Sequence, residues 1–298
     1  MSDNIKKPTV MALGYFDSVH EGHKKVIKTA KEFADKNGYT LTVFTFKGNL
    51  KGLLNGDGEK SVYLPKEREK FLIDLGADEI YFAPVDFNFL STAKLAFLNK
   101  LNKKYNIKCY VSGADYRFGK FGKGDITDLK RYAENNNQEQ IVVDTFTLDG
   151  QKVSTTAIKK FLVSGDIKKA NLFLGRNYSV TGKVFKDREV GSTIGFPTAN
   201  IKLESDKFCI KDGVYAGITE IDGKVYKAII NYGARPTFNL KDKLIEAHID
   251  GFEGNLYGRE ITLEFTSRIR DVKKFNGEED LKAQLEKDLK GLKDGIYD

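Results

Sequence analysis

Hydrophobic positions in the first half of the chain follow two alternating patterns. Short apolar runs such as Thr9 to Leu13 predict buried strands, and longer segments such as Glu21 to Lys36 repeat their apolar residues at helical spacing. The apolar face of that helical segment carries Val26, Ile27, Ala30, Phe33 and Ala34. Strand and helix patterns keep alternating over residues 8–145. This order predicts a parallel sheet with helices on both faces.

Five further elements continue this alternation. They are a strand from Thr40 to Phe46, a helix from Pro65 to Gly76, a strand from Glu79 to Val85, a helix capped by Ser91 and continuing through Tyr105, and a strand from Ile107 to Gly113. Ligands of such a sheet bind at the carboxyl ends of its strands. We therefore expect the functional residues of this half in the turns that follow strands.

The pattern changes in the second half. It is helical from Ser154 to about Leu174, and beyond Tyr178 short strand-like runs are divided by Gly, Asn and Asp turns. These runs cover residues 178–185, 213–221, 224–232, 244–250 and 260–267. They predict a small antiparallel barrel. A last helix, Glu278 to Leu292, is predicted to pack across the barrel through Leu281, Leu285, Leu289 and Leu292. The predicted domains are residues 1–175 and 176–298.

Length and composition agree with two folded domains. The 298 residues exceed what one core usually holds, and 40% hydrophobic with 31% charged residues is typical of a soluble protein. The polar segment Met1 to Lys7 leads only into the short apolar run Val10 to Leu13. We therefore expect neither a signal peptide nor a membrane span, and we expect a cytoplasmic protein.

Cysteines and charge exclude some classes of function. Cys109 and Cys209 stand far apart, without histidines near them, and are predicted to be buried free thiols. The net charge is +7, but the lysines are spread along the chain and alternate with acidic residues. Solvated faces explain this scatter better than a nucleic-acid patch, so no nucleic-acid partner is expected. A modest positive charge also suits anionic nucleotides.

The segment Gly14 to His23 carries the strongest chemical motif. It stands where the first strand meets the first helix, so free backbone N–H groups and the positive end of the helix dipole point at any anion there. Gly22 allows close approach, and His20 and His23 can donate to phosphate oxygens whose charge grows during attack at the α-phosphorus. The chain has three histidines, and two lie in this turn. The motif predicts an ATP-using nucleotidylyltransferase. The alternative is that His20 and His23 are only a helix cap and a surface residue.

Two later segments fit the same pocket. Ser154 to Lys159 opens a helix with three hydroxyls and a cation one turn later, which suits the β- and γ-phosphates of a nucleotide. Gly113 to Gly119 follows a strand and offers glycine turns, a carboxylate and aromatic faces for a ring ligand. Taken alone, the first could be an ordinary hydroxyl cap and the second an ordinary loop.

With these motifs in order, the chain resembles the bacterial bifunctional riboflavin kinase and FAD synthetase family over nearly its whole length. The matching segments of the first half are Gly14 to His23, Gly113 to Gly119 with Gly122 and Gly124, and Ser154 to Lys159. Those of the second half are Gly195 to Asn200, Gly213 to Ala216, Asn231 to Phe238, Glu246 to Ile249 and Leu256 to Gly258.

This resemblance implies an α/β nucleotidylyltransferase domain with a Rossmann-like parallel sheet, followed by a riboflavin kinase β-barrel with a C-terminal helix. ATP would phosphorylate riboflavin to FMN in the barrel. The first domain would join AMP to FMN, giving FAD and pyrophosphate. The implied partners are these small molecules and Mg²⁺, for a monomer or weak homo-oligomer.

The resemblance also implies the site residues. The catalytic ones are His20, His23 and Glu246. The adenylyltransferase nucleotide would contact Gly14, Phe16, Asp17, Gly22, Asp115, Ser154, Thr155, Thr156 and Lys159. The kinase nucleotide would contact Gly182, Lys183, Gly195, Pro197, Thr198 and Asn200, of which Thr198 and Asn200 would hold the metal. The flavins would contact Phe118, Asn231, Arg270 and Phe275.

The kinase residues make chemical sense in an extended chain. Thr198 and Asn200 are two positions apart, which puts two oxygens on one side for a Mg²⁺ held mainly by water and phosphate. Glu246 would accept the proton of the ribityl hydroxyl as that hydroxyl attacks the γ-phosphate. Taken singly, such residues are more often a turn or a solvated strand position. His248 shares the face of Glu246 and is interpreted as structural.

Four departures from the family pattern motivate one alternative function, and the net charge of +7 motivates a second. Ser18 replaces a glycine, Lys159 and Ser192 replace arginines, and Lys47 to Leu50 stands where the family has an aspartate, proline and histidine. The first alternative is a riboflavin kinase whose adenylyltransferase domain is weakened or altered in its acceptor. The second is a flavin sensor that binds nucleic acid, which the scattered charge disfavours.

Overall fold

Two compact units make up the chain, Met1–Thr155 and Thr156–Asp298. The computed structural model describes residues 6–48, 60–186, 195–234 and 243–297. The predicted boundary near residue 175 falls twenty residues later, because the two helices that precede it group with the second unit. Asn49, Leu50, Ser192 and the segment Arg235 to Phe238 of the sequence predictions lie outside the described residues.

A parallel five-stranded sheet organises the first unit. Its elements in chain order are β1 (Pro8–Leu13), α1 (Glu21–Asn37), β2 (Thr40–Phe46), α2 (Pro65–Asp74), β3 (Glu79–Ala83), α3 (Phe87–Leu90), α4 (Lys94–Lys104), β4 (Asn106–Gly113), α5 (Ile126–Asn135), β5 (Glu139–Val143), β6 (Thr147–Leu148) and β7 (Gln151–Lys152). The strand order is β3-β2-β1-β4-β5, and all neighbours are parallel. The order reverses at β1, so the crevice for a ligand lies at the carboxyl ends of β1 and β4.

Helices cover both faces of this sheet, as the sequence predicts. One apolar cluster joins α1 and α2 to the sheet through residues such as Ile27, Ala30 and Leu72. A second cluster joins α4 and α5 to the opposite face through residues such as Phe97 and Leu129. The strands are apolar on both sides because both sides are buried.

One predicted cap is wrong. Ser91 ends the short helix α3, where its hydroxyl donates to the carbonyl of Phe87 at 2.8 Å, and the next helix begins only after Ala93. A serine can satisfy a free carbonyl at the end of one helix as readily as it caps the start of another. The helix predicted from Ser91 to Tyr105 is therefore observed as Lys94–Lys104, and a separate short helix ends just before Ser91.

The second unit is a closed antiparallel barrel with flanking helices. Its elements are α6 (Thr155–Ser164), α7 (Ile167–Leu174), β8 (Tyr178–Phe185), β9 (Thr198–Lys202), β10 (Gly213–Ile221), β11 (Lys224–Ala234), β12 (Lys243–Ile249), β13 (Glu260–Arg270) and α8 (Glu278–Lys293). The strand order around the barrel is β10-β11-β12-β9-β8-β13. The hydrophobic pattern predicted five of these six strands and missed β9. The predicted fold class is otherwise confirmed.

Alternation along the strands separates the barrel core from its outer wall. Tyr215, Tyr232 and Ile245 are fully buried and point inward, so their strand neighbours point outward. On the outside, α8 packs on β10 and β11 through a small apolar cluster that contains Val214 and Leu292. The prediction that this helix packs on the barrel is confirmed, although of its four predicted leucines only Leu289 and Leu292 belong to that cluster.

Two remaining expectations can be compared with the described residues. Cys109 is a buried free thiol as predicted, but Cys209 is only half-buried, because it lies in an irregular segment before β10 rather than in a strand. No helix within the described ranges is both long and apolar enough to cross a lipid bilayer.

Candidate active sites

The turn from β1 to α1 has an unusual backbone. Phe16 and Val19 have φ values of +45° and +43°, although neither is glycine. Such a conformation costs about 1–3 kcal/mol for a residue with a bulky side chain and persists only where packing enforces it. Both side chains are at most 1% exposed and belong to the apolar cluster around α1. The core therefore holds the turn in a shape that the local sequence does not favour.

His20 and His23 stand together at the end of this turn. His20 is the N-cap of α1, and its Nδ1 accepts a hydrogen bond from the backbone N–H of His23 at 3.1 Å. The two rings are stacked, with centroids 3.6 Å apart and planes 11° apart. His20 is buried and His23 half-buried. The predicted pair is thus brought together at a helix N-terminus, where an anion is stabilised.

Two glycines of the motif make room for rings. A Cβ on Gly14 would lie 2.6 Å from the ring of Phe16, and one on Gly22 would lie 3.1 Å from the ring of His20. The ring of Phe16 in turn contacts His23 edge to face at 5.1 Å. Both glycines therefore allow the packing that orients the two imidazoles.

Asp17 and Ser18 have structural contacts in this structure. Asp17 is fully buried, and its Oδ1 accepts the backbone N–H of Val62 at 3.2 Å. Ser18 is also fully buried, and its hydroxyl lies 2.9 Å from that of Thr155. This second contact joins the first predicted motif to the start of the third. The predicted contact of Asp17 with nucleotide stays a prediction.

The sequence analysis missed Arg68 of α2, which is fully buried beneath this site. Its Nη2 donates to the carbonyl of Phe46 at 2.8 Å, and Nη1 lies 3.4 Å from both the carbonyl of Tyr15 and the hydroxyl of Thr45. Burial lowers the pKa of Arg68, and the charge of nearby Asp17 opposes that change. Arg68 therefore ties together the chain segments that leave β1 and β2. An arginine on a helix is expected to be solvent-exposed, so nothing in the sequence pattern indicated that Arg68 is buried.

The predicted residues of the loop after β4 differ in their exposure to solvent. Asp115 is exposed and pairs with Lys152 at 2.7 Å. Phe118 is only 5% exposed and packs against Phe97 in the core, so its predicted contact with flavin stays a prediction. The exposed ring of this loop is Phe121, at 50% exposure and a φ of +51°.

The third predicted motif spans the boundary between the units. Ser154 and Thr155 are half-buried in the first unit. In the second unit Thr156 is exposed, and the ammonium group of Lys159 lies 5.1 Å from the centre of the Phe208 ring. The contacts of these four residues with a nucleotide stay predictions.

In the barrel, predicted residues from four strands fall into one row. The strand register aligns Arg270, Val214, Asn231, Glu246 and Asn200 across β13, β10, β11, β12 and β9. Directly opposite residues point to the same side, and this row faces outward. The Nδ2 group of Asn231 donates to Oε2 of Glu246 at 3.3 Å. Residues that are up to seventy positions apart in sequence thus meet on one surface.

The next outward row carries Thr198 opposite His248. A ring nitrogen of His248 lies 3.0 Å from the carbonyl of Pro197, and its ring packs edge to face on Phe196. These contacts agree with the structural role predicted for His248.

The donors fit the predicted Mg²⁺. Thr198 and Asn200 present oxygens on the same face of β9, and Oδ1 of Asn200 is buried without a hydrogen-bond partner among the described residues. A buried amide oxygen left in this way has a reason to bind a hard cation. In the same described ranges no three His, Cys, Asp or Glu side chains form a cation cluster of their own.

A pocket of about 180 Å³ opens beside this strand. Its wall includes Pro197, Thr198 and Ala199, together with the loop segment 254–257 that precedes β13. The backbone N–H of Gly258 donates to the carbonyl of Val184 at 2.8 Å, which ties that loop to β8.

The remaining predicted kinase residues, Gly182, Lys183 and Gly195, are not among those that line this pocket. A Cβ on Gly182 would lie 2.4 Å from Ile201, so this glycine serves strand packing. Lys183 is exposed, and its Cε would lie 3.9 Å from a Cβ placed on Gly258. Gly195 is exposed with a φ of +85° and open space around it.

Arg270 is held by the C-terminal helix. Its Nε and Nη2 donate to Oδ2 of Asp288 at 2.9 and 2.7 Å, and its guanidinium lies 5.9 Å from the centre of the Phe275 ring. Arg270 and Phe275 were predicted as flavin residues, whereas the motifs gave no indication of Asp288.

Comparison with known proteins divides the chain in the same two parts. The family model described as FAD synthetase matches residues 2–157, and the one described as riboflavin kinase matches residues 174–295. A bifunctional riboflavin kinase/FMN adenylyltransferase of Bacillus subtilis is 37% identical over 94% of this chain and 90% of its own length. A protein of the same description from Haemophilus influenzae is 32% identical over 98% and 96%.

A solved structure has the same fold over nearly the whole chain. The crystal structure described as a macrolide-efflux protein from Streptococcus pneumoniae is 31% identical, with a TM-score of 0.86 over 96% of this chain and 94% of its own. That description belongs to the Streptococcus pneumoniae protein, while both family models and the curated relatives name flavin enzymes.

Proposed function

The chain belongs to the family of bifunctional riboflavin kinase/FMN adenylyltransferases, and on this premise we propose that each of its compact units carries one of the two active sites. The enzyme synthesises FMN from riboflavin and ATP, and FAD from FMN and ATP. The observation that supports the division is that each unit contains a set of polar residues gathered on one surface: the stacked histidines in the first, and the row around Glu246 in the second.

Adenylylation proceeds at the N-terminus of α1. A phosphate oxygen of FMN attacks the α-phosphorus of ATP, and pyrophosphate leaves. His20 and His23 donate hydrogen bonds to the oxygens whose negative charge grows during the attack, and the helix N-terminus stabilises the same charge. Positioning and charge stabilisation are sufficient for this transfer, so no covalent intermediate with the protein is needed.

Phosphorylation proceeds on the outer wall of the barrel. Glu246 accepts the proton of the terminal ribityl hydroxyl, whose oxygen attacks the γ-phosphorus of ATP, and ADP leaves. The side-chain amide of Asn231 orients the carboxylate through its hydrogen bond. The pocket beside Pro197 and Tyr257 is of a kind that can hold part of the nucleotide.

Mg²⁺ is the metal that the kinase site would hold. Oδ1 of Asn200 and the hydroxyl of Thr198 would be its protein ligands. When bound, it would neutralise charge on the phosphates of ATP. The protein residues would fix where those phosphates lie relative to Glu246.

Two assays on the purified full chain test this function. With riboflavin, ATP and Mg²⁺, chromatography of the flavins should show FMN and then FAD. With FMN in place of riboflavin, FAD and pyrophosphate should form. Formation of FMN without FAD would support the alternative of an altered adenylyltransferase, and absence of both products would contradict the function. Cytoplasmic location and a monomer or weak homo-oligomer remain part of this proposal.

A further inference from the structure

The C-terminal helix α8 carries a buried carboxylate, Asp288, that is only 1% exposed. Both of its oxygens are engaged. Oδ2 accepts hydrogen bonds from Nε and Nη2 of Arg270, and Oδ1 accepts one from Nε2 of Gln284 at 2.8 Å. The carboxylate is therefore fixed from two sides, one of them a charge-assisted contact in which two N–H groups of the guanidinium converge on one oxygen.

Arg270 lies at the end of the row that carries Glu246. Its guanidinium has five N–H donors, of which two go to Asp288 and one, on Nη1, to the carbonyl of Asp271 at 3.2 Å. One N–H on each Nη remains without a partner among the described residues. These two donors and the adjacent Phe275 ring form a surface suited to a planar, polar ring system.

The apolar contact of α8 with the barrel already docks the helix, through Leu292 on Val214 and Ile229. A buried ion pair adds little to stability, since desolvation offsets most of its attraction. Docking of the helix therefore does not explain the role of the Asp288–Arg270 pair. Fixing the plane of the guanidinium over Phe275 is such a reason.

We propose that Asp288, with Gln284 behind it, is a positioning residue for riboflavin: it holds Arg270 and Phe275 in the orientation in which they receive the flavin ring. This inference rests on the proposed kinase site. It makes the C-terminal helix a part of the flavin subsite, whereas the nucleotide pocket is formed by other elements, β8, β9, β12 and the loop before β13.

The test is the variant Asp288→Asn in the full chain, which keeps size and one acceptor but removes the charge. With saturating ATP and Mg²⁺, the KM for riboflavin should rise about tenfold, as expected when a uniform binding interaction is lost. The KM for ATP and the rate of FAD formation from supplied FMN should stay unchanged. Riboflavin binding, measured by fluorescence quenching in the presence of ADP and Mg²⁺, should weaken by the same factor.

A matched control is available at the turn between β10 and β11. Asp222 also pairs with an arginine through two hydrogen bonds, from Nη2 and Nη1 of Arg259 to its two oxygens at 2.6 and 3.1 Å, but it is exposed and belongs to no predicted site. Asp222→Asn should leave both KM values unchanged. An equal rise of the KM for riboflavin in both variants would contradict the proposal.

A purely structural role predicts a different result. In that case Asp288→Asn would lower the melting temperature, while the folded fraction kept the wild-type KM for riboflavin, and this would overturn the proposal. If Asp288→Asn fails to fold, Asp288→Glu and Gln284→Ala decide by the same criterion. Because wild-type FMN formation is measured first, loss of the kinase function as a whole is recognised separately.

Discussion

The rings of His20 and His23 lie face to face, 3.6 Å apart, and Nδ1 of His20 accepts the backbone N–H of His23. A nitrogen that accepts a hydrogen bond carries no proton, so the proton of a neutral His20 is on Nε2. That N–H is the donor that we propose for a phosphate oxygen.

His23→Ala should lower the rate of FAD formation by about 10²–10³-fold, the usual loss when one donor to a developing charge is removed. FMN formation from riboflavin by the same protein should be nearly unchanged, because no residue of the barrel is altered. Flavin chromatography measures both. Equal loss of both activities in a folded variant would contradict separate sites.

Glu246→Gln should have the opposite effect. FMN formation should fall by about 10²–10⁴-fold, since an amide cannot accept the hydroxyl proton. FAD formation from supplied FMN should persist. The control is Glu220→Gln, the same substitution at an exposed position of β10, which should leave both rates at wild-type level.

Asn200→Ala should raise the Mg²⁺ concentration that half-saturates the kinase by about tenfold, because one hard oxygen ligand is lost. Titration of FMN formation with Mg²⁺ at fixed ATP measures this change. The Mg²⁺ dependence of FAD formation serves as the internal control. An unchanged kinase titration would remove Asn200 from the metal site.

Arg68→Met should destabilise the protein by about 3 kcal/mol, because buried carbonyls near the ends of β1 and β2 lose their charged donor. Urea unfolding measures this change. Arg131→Met on α5 is the control, since that side chain is 71% exposed, and it should shift the free energy by less than about 0.5 kcal/mol. Similar values for the two variants would contradict the bracing role of Arg68.

Stability should fall at high pH partly through Cys109. Burial raises the pKa of this thiol from its ordinary value of 9.0 to about 12. Between these values the unfolded chain releases the proton while the folded chain keeps it, so folding loses about 1.4 kcal/mol per pH unit from this group. Urea unfolding at pH 8 and pH 10.5 should therefore show a smaller decrease for Cys109→Ala than for wild type. Equal decreases would rule out this contribution.

The elements that were predicted correctly are those whose hydrophobic pattern lies within one continuous segment of the chain. The alternating β-branched and aromatic run from Thr40 to Phe46 is β2 residue for residue, and the apolar face of Glu21 to Lys36 is the buried face of α1. Strand β9 was missed because it is short, polar and preceded by Pro197. Ser91 was misread because hydroxyl groups serve both ends of helices.

The site was predictable only where neighbours in sequence are neighbours in space. His20 and His23 share one helix turn, so their meeting follows from the chain itself. The meeting of Asn231 with Glu246 depends on strand register, and that of Arg270 with Asp288 on how a helix docks. Burial of Asp17 likewise comes from a segment forty-five positions away, to which no local pattern refers.

The row across the barrel links the chemistry of the kinase to the fidelity of its folding. Strand side chains alternate, so a slip of β12 by a single position would turn Glu246 into the apolar interior and expose Ile245. Such a barrel would bury the carboxylate of Glu246 and, by the same slip, would lose its catalytic base. Each active molecule is therefore also a correctly paired one, and turnover counts the properly assembled barrels in a preparation.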